Sequence, residues 1–181
     1  SLNKLGLEYL DLYLIHWPTN ALQFPDNWQT INAETWRAFE DLYEAGKIKA
    51  IGVSNFMVHH LQALKQTARI QPMVNQIEFH PGYTQAEVVD YCNDHSILVE
   101  AWSPLGSGRL LENPTLQLLA EKYGISVAQL CMQFALQQGV LPLVKSITAA
   151  RIIANIQPIN CTLDESDVKA MAELQENGFS G

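Results

Sequence analysis

The sequence predicts an α/β fold of the parallel class: an incomplete (β/α)8 TIM barrel of about five parallel strands with crossover helices. Three observations predict it. Short apolar segments alternate along the whole chain with segments of helical periodicity. The short segments are apolar on both faces, the pattern of parallel strands whose crossover helices cover the sheet they return to. No strand-to-helix turn carries G-x-G-x-x-G, since Gly106-Ser107-Gly108 runs on into Arg109, Leu110 and Leu111 without a third glycine, so the doubly wound dinucleotide fold is set aside. A complete barrel takes about 250 residues, roughly 31 per unit, and 181 residues therefore hold between five and six units.

The elements follow in order. Residues 1–5 read as the last turn of a helix with Gly6 as its C-terminal cap, so the chain is expected to begin inside a larger arrangement. Residues 7–16 (LEYLDLYLIH), stopped by Pro18, read as a buried strand. A loop with Pro25, Asp26 and Asn27 leads to Asn32, expected to cap a helix that carries Trp36, Phe39, Leu42 and Tyr43 at helical spacing and ends at Gly46. The unit then repeats: strand 48–53 with helix 58–67, strand 73–78 with helix 85–93, and strand 97–101 with a loop and two helices, 114–122 and 127–138. Strand 140–144 closes the series, with helical patterns at 149–155 and 164–174. One domain, 1–181, is expected.

Composition narrows the function classes. With 48% hydrophobic and 17% charged residues the chain has enough apolar material for a sizeable core. Its 19 acidic against 11 Lys and Arg residues give a net charge of -8, the wrong sign for a surface that holds phosphate backbones, so no nucleic-acid partner is expected. No apolar run approaches the roughly 18 to 20 residues of a membrane span, and no basic-then-apolar leader is present, so no membrane is expected. Cys92, Cys131 and Cys161 are odd in number and widely spaced, which fits a reducing, cytoplasmic setting and neither a disulfide framework nor a metal knuckle. No metal site is expected: Cys92 and His95 have C-x-x-H spacing without further ligands, and the tandem His59-His60 reads as a surface pair.

In a parallel barrel the active site is built at the C-terminal ends of the strands. Here those ends carry His16-Trp17, Ser54-Asn55-Phe56, Gln76 with Glu78 and His80, Trp102-Ser103, and Lys145-Ser146. Ser54, Asn55 and Gln76 are short neutral donors and acceptors, the set that binds an amide in both directions without burying a charge, and a nicotinamide carboxamide is such an amide. Trp102 is suited to stack on a flat ring. The small residues of loop 103–109 (SPLGSGR) let backbone N–H groups approach a pyrophosphate, with Arg109 as counter-charge. Lys145, Ser146 and Arg151 form a basic cluster in an acidic chain, which suggests a phosphate site.

Taken together these strand ends resemble the aldo-keto reductase family over essentially the whole chain. LGLEYLDLYLIHWP is similar to that family's fourth strand, KIKAIGVSNF to its fifth, QIEFHP to its sixth, AWSPLGSG to its seventh and LPLVKSITAARIIANI to its eighth. The resemblance implies NADP(H) at the barrel mouth and hydride transfer to an aldehyde or ketone, a small carbonyl substrate. It assigns His16 to the catalytic histidine that orients the carbonyl, and Ser54, Asn55 and Gln76 to the carboxamide ligands. Trp102 matches the stacking aromatic, often a tyrosine in the family, and Ser103, Leu105 and Ser107 match the pyrophosphate loop. Lys145, Ser146 and Arg151 match the pocket for the 2′-phosphate, and Asn155 matches an adenine contact. Ala154 stands where many members carry an acidic or amide residue, which implies a looser grip on adenine.

The family's catalytic aspartate, tyrosine and lysine lie on earlier strands and have no match among these residues, so the truncated chain by itself is expected to be nearly inactive. Open strand edges are expected to drive self-association. Trp17, Trp102 and the 25–28 loop imply an apolar, aromatic-lined mouth, without naming a substrate. Two other readings stand beside the reductase: a non-catalytic nucleotide-binding or assembly module of the same fold, and an unrelated barrel lyase or isomerase. The latter needs acidic or lysine residues in its mouth, where few are found apart from Glu78 and Lys145.

Overall fold

A computed structural model of the chain describes residues 2–176 and Gly178. Five strands follow one another in sequence order in a single sheet: β1 (Leu10–Ile15), β2 (Ile48–Ser54), β3 (Val74–Glu78), β4 (Leu98–Trp102) and β5 (Val140–Pro142). The pairs β1·β2, β2·β3 and β4·β5 are parallel, as both-face apolar strands separated by helices require. Two compact units form among the described residues. One holds the residues up to Ile77 together with Asp90–Leu98; the other holds Glu78–Val89 together with the residues from Val99 onward.

In the first unit, α1 (Leu2–Leu5) ends at Gly6, whose left-handed φ of +67° lets the Leu7 N–H reach back to the Leu2 carbonyl at 3.2 Å. Ser1, placed in this turn by the sequence, lies outside the described residues. Strand β1 starts at Leu10, three residues later than expected, where the Leu10 N–H first meets the Lys47 carbonyl of the neighbouring chain segment. It is also not the buried strand expected: Leu10, Leu12 and Leu14 are half-buried while Asp11 and Tyr13 are exposed. The physical reason is position, since among the described residues β1 ends the strand order, paired with β2 on one side.

Helix α2 (Trp28–Glu44) covers one face of this sheet by stacking Phe39 on Tyr13, with ring centroids 4.7 Å apart, and by burying Trp36, whose indole N–H donates to the Ile70 carbonyl at 2.9 Å. Its N-cap is Asn27 rather than Asn32. Asn32 lies a turn inside, buried, where its amide exchanges two hydrogen bonds of 2.8 and 2.9 Å with the Thr19 backbone and so pins the loop after β1. Glu40, two turns further on, is a buried carboxylate that accepts from the Arg69 and Ile70 N–H groups at 2.6 and 2.8 Å and from Arg69 Nε at 3.1 Å. Helix α3 (Val58–Lys65) buries Leu61 and Leu64 as its periodicity predicts.

The second unit contains a 3-10 segment at Gly106–Glu112 inside what the sequence shows as loop, then α5 (Pro114–Tyr123), α6 (Val127–Gln137), α7 (Ala149–Asn155) and α8 (Glu165–Ala172). Helix α4 (Ala86–Asp94) precedes β4 and is shared by the two units. Local signals account for the starts: the Asn113 side chain accepts from the Thr115 and Leu116 N–H groups, and Ser126 Oγ from Gln129 N–H. Phe79, Leu110, Leu116, Leu130, Phe134, Val140 and Met171 form the core of this unit. The Gln137 amide binds both backbone groups of Leu163, and Lys122 reaches Asp164 and Asp167 at 2.7 and 2.6 Å, tying α5 and α6 to α8.

Candidate functional site

Parallel pairing places the ends of β2 and β3 side by side, with Ser54 opposite Gln76 and Val53 opposite Asn75. The chain turns sharply there because Asn55 takes a left-handed φ of +61°, a conformation that asparagine tolerates better than most residues. Gln76 fixes the turn through its backbone: its carbonyl accepts from Ser54 Oγ at 2.7 Å and from Asn55 N–H at 2.9 Å. The Asn55 amide donates to the His16 carbonyl at 3.0 Å and to Ser54 Oγ at 3.1 Å, which links the ends of β1 and β2. Ser54 and Asn55 are 3% and 6% exposed, so two of the residues singled out by sequence share one nearly dry patch with Gln76. All three belong to the first unit, as does His16, whose exposed side chain lies 6.4 Å, ring centre to ring centre, from Trp17.

The second unit holds the remaining candidates. Trp102 ends β4 and Ser103 follows it, both half-buried, and Ser103 adopts a left-handed φ of +51°. Gly106, Ser107 and Gly108 follow with φ of +54°, +53° and +93°, so the loop coils tightly and brings Ser103 Oγ to 3.3 Å from Ser107 Oγ. Gly106 is required, since a Cβ there would meet Cγ of the buried Leu110 at 2.9 Å. Leu105 is half-buried beside these turns. Beyond β5, which stops two residues short of the expected end, Lys145 and Arg151 are exposed, and Ser146 Oγ accepts from Thr148 N–H at 3.2 Å. A cavity of about 610 Å³ runs along residues 141–145 and 155–159, and both Lys145 and Asn155 line it.

One histidine expectation changes. His60 is buried, only 7% exposed, rather than half of a surface pair: it sits edge-on to Trp28 and Phe56, and its Nδ1 accepts from Met57 N–H at 3.1 Å. Burial, reinforced by the charge of His59 when protonated, pushes its pKa down to about 4. His95 stacks on Tyr91 and bonds the Tyr91 carbonyl, while the Cys92 thiol is buried and pushed up by that burial. Among the described residues no group of three His, Cys, Asp or Glu side chains is placed to hold a metal, and no helix is long and apolar enough to cross a membrane.

Asn75 was passed over in the sequence. It is fully buried beside Gln76, and its amide donates to the Phe56 carbonyl at 2.9 Å. The signal that marks it is an asparagine inside an otherwise apolar stretch, where a polar side chain needs a partner.

The model of the Aldo/keto reductase family matches residues 1–176. Among curated proteins the chain is 49% identical over 177 residues to the glyoxal reductase of Bacillus subtilis, covering 98% of this chain and 61% of that protein. Among solved structures it superposes on the aldo/keto reductase from Brucella melitensis with a TM-score of 0.85 and 44% identity, over 95% of this chain and 63% of that one. A Bombyx mori aldo-keto reductase in complex with NADP gives a TM-score of 0.83 and 36% identity, over 95% of this chain and 59% of that one. The chain thus spans about 60% of the length of the curated relatives it matches. Its five strands and crossover helices are units of the (β/α)8 fold of those neighbours. On sequence profile, on identity to these relatives and on the course of its strands, the chain belongs to the aldo/keto reductase family.

Proposed function

We propose that this chain is the NADP(H)-binding part of a reductase that converts small aldehydes or ketones to alcohols, acting in the cytoplasm. The observation that carries the reading is the patch at the ends of β2 and β3, where Ser54, Asn55 and Gln76 gather neutral hydroxyl and amide groups around one strained turn. A carboxamide both donates and accepts, and such a set meets it without stranding a charge in a site that is nearly dry. The donor set therefore fits the nicotinamide end of the cofactor. In the second unit, Trp102 supplies a flat apolar face, and Ser103, Leu105 and Ser107 line a loop whose left-handed turns bring backbone close to a pyrophosphate. Lys145, Ser146 and Arg151 suit a dianionic 2′-phosphate, and Asn155 suits an adenine edge. The bound cofactor supplies the hydride.

His16 is the group proposed to orient the substrate carbonyl, held in place because its backbone oxygen is bonded by the Asn55 amide. The proton donor that the resemblance assigns to a tyrosine has no match in these 181 residues. A positioned general acid is typically worth about 100- to 10,000-fold, so the 181 residues alone are proposed to bind cofactor and to reduce carbonyls poorly. Three free cysteines and names such as glyoxal reductase among the relatives support a reducing compartment and a small carbonyl substrate. We also infer that the chain self-associates through the outer strands β1 and β5, each hydrogen-bonded on one side only in the strand order.

The test is titration with NADPH followed by tryptophan fluorescence, with NADH as control and aldehyde turnover recorded in parallel. Saturable binding that favours NADPH, with little turnover, is the expected result. Absence of binding refutes the cofactor reading, and equal affinity for NADH refutes the role of Lys145, Ser146 and Arg151.

A further inference from the structure

We propose that Asn75 is a positioning residue for the cofactor carboxamide, acting by holding the turn that presents Ser54 and Asn55. The inference rests on the reading of that patch as the nicotinamide end of the cofactor site.

The turn stores strain, because Asn55 is a non-glycine residue at a φ of +61°, and such a residue persists only where its surroundings over-determine it. Two adjacent residues of β3 do so, Gln76 through its backbone and Asn75 through its side chain. Successive side chains of a strand point to opposite faces, so Gln76 lies on the face of Ser54, its partner in register, while Asn75 lies on the other face with Val53. In the plane of the sheet the Gln76 backbone carbonyl takes both the Ser54 hydroxyl and the Asn55 N–H. From the face it shares with Val53 the Asn75 side-chain amide donates to the carbonyl of Phe56, the residue that leaves the turn, at 2.9 Å.

Packing alone does not explain an asparagine here. Asn75 is 0% exposed, and its Oδ1 has no hydrogen-bond partner among the described residues. A buried amide oxygen without a partner lowers stability, and an apolar side chain of similar shape avoids that cost. What the amide supplies, and leucine cannot, is the N–H that fixes Phe56. Its second contact, Cys92 Sγ at 3.7 Å, is weak and lies behind it on α4. The Phe56 ring is itself fully buried, so the exit of the turn is anchored at both its carbonyl and its side chain. Loss of the amide bond releases the peptide that follows Asn55 while leaving the Gln76 bonds in place.

The test compares wild type with Asn75→Ala and with Asn75→Leu, the latter keeping the side-chain volume in case the cavity left by alanine prevents folding. Two probes are titrated: NADPH, and adenosine 2′,5′-bisphosphate, which carries the 2′-phosphate and adenine but no carboxamide. The expected result is NADPH binding weakened about fivefold or more, the worth of one hydrogen bond, with the bisphosphate unchanged within about twofold. Cys92→Ala, which removes packing beside Asn75 but not the bond to Phe56, is expected to leave both affinities as they are. Without any cofactor, the Asn55 amide is expected to exchange hydrogen faster in both Asn75 variants. NADPH affinity equal to wild type overturns the proposal, as does equal weakening of both probes, which marks a purely structural residue. A wild-type chain that binds neither probe overturns the cofactor reading itself and this inference with it.

Discussion

His60 shows what a single buried residue does to the chain's response to acid. Burial in a pocket walled by Trp28, Phe56 and His59, reinforced by the charge of His59, pushes its pKa from 6.5 down to about 4, and protonation of Nδ1 would also break its bond with the Met57 N–H. Between those values the unfolded chain takes up a proton that the folded chain refuses, so this residue's contribution is complete above about pH 6.5 and is lost as pH falls towards 4. His60→Gln keeps an acceptor for Met57 and removes the titration. The expected outcome is a smaller fall in Tm from about pH 7 to about pH 4.5 for the variant than for wild type, read by calorimetry; parallel curves refute the assignment. The burial that sets this shift was hidden in the sequence, where His59 and His60 read alike, because which of two adjacent helical positions turns inward depends on what lies beneath. By contrast Ser54, Asn55 and Gln76 were legible, since polar residues that directly follow apolar strands stand out without any knowledge of their neighbours.

At the scale of elements, β2 is the strand on which the candidate site depends, and Gly52 is what lets it approach β3. A Cβ at this position would meet the Val74 carbonyl at 2.6 Å and Leu14 Cδ2 at 2.7 Å. Leu14, Gly52 and Val74 are paired in register across β1, β2 and β3, so a larger residue forces all three apart. Gly52→Ala is expected to lower stability by about 1–3 kcal/mol through overpacking, read as a lower urea midpoint with an unchanged slope. An unchanged midpoint means that the strands accommodate the methyl group. Strand and helix existence was readable throughout from the alternation of apolar and periodic segments, and α7 occurs at the expected residues. Boundaries were less so. The end of β5, the start of β1 and the 3-10 turns at Gly106–Glu112 are set by where hydrogen-bond partners stop or by runs of left-handed residues, neither of which hydrophobic periodicity records.

At the scale of the whole molecule, the outer strands are the proposed route of self-association. Strand β1 presents exposed Tyr13 beside exposed Leu7 and Tyr9, and β5 presents exposed Leu141 followed by exposed Leu143. Unpaired backbone next to apolar side chains is a template for pairing with another chain. A dimer or larger species is therefore expected for the 181-residue chain by size exclusion with light scattering, and a concentration-independent mass near 20.3 kDa is the result that rejects it.

The sequence by itself determined the class of fold, the order of the elements and the chemistry of the strand ends, because these depend on local periodicity and on residue types at a strand's last positions. The tertiary structure decided which polar residues are buried and to what purpose. Asn32 became a loop clamp rather than a helix cap, Glu40 a buried acceptor for the Arg69-Ile70 backbone, and Asn75 the donor behind the Ser54-Asn55 turn. Each of these roles is a hydrogen bond between residues 13 to 30 positions apart. The partner of a buried polar group is fixed by three-dimensional proximity, which a periodic pattern along one chain does not encode.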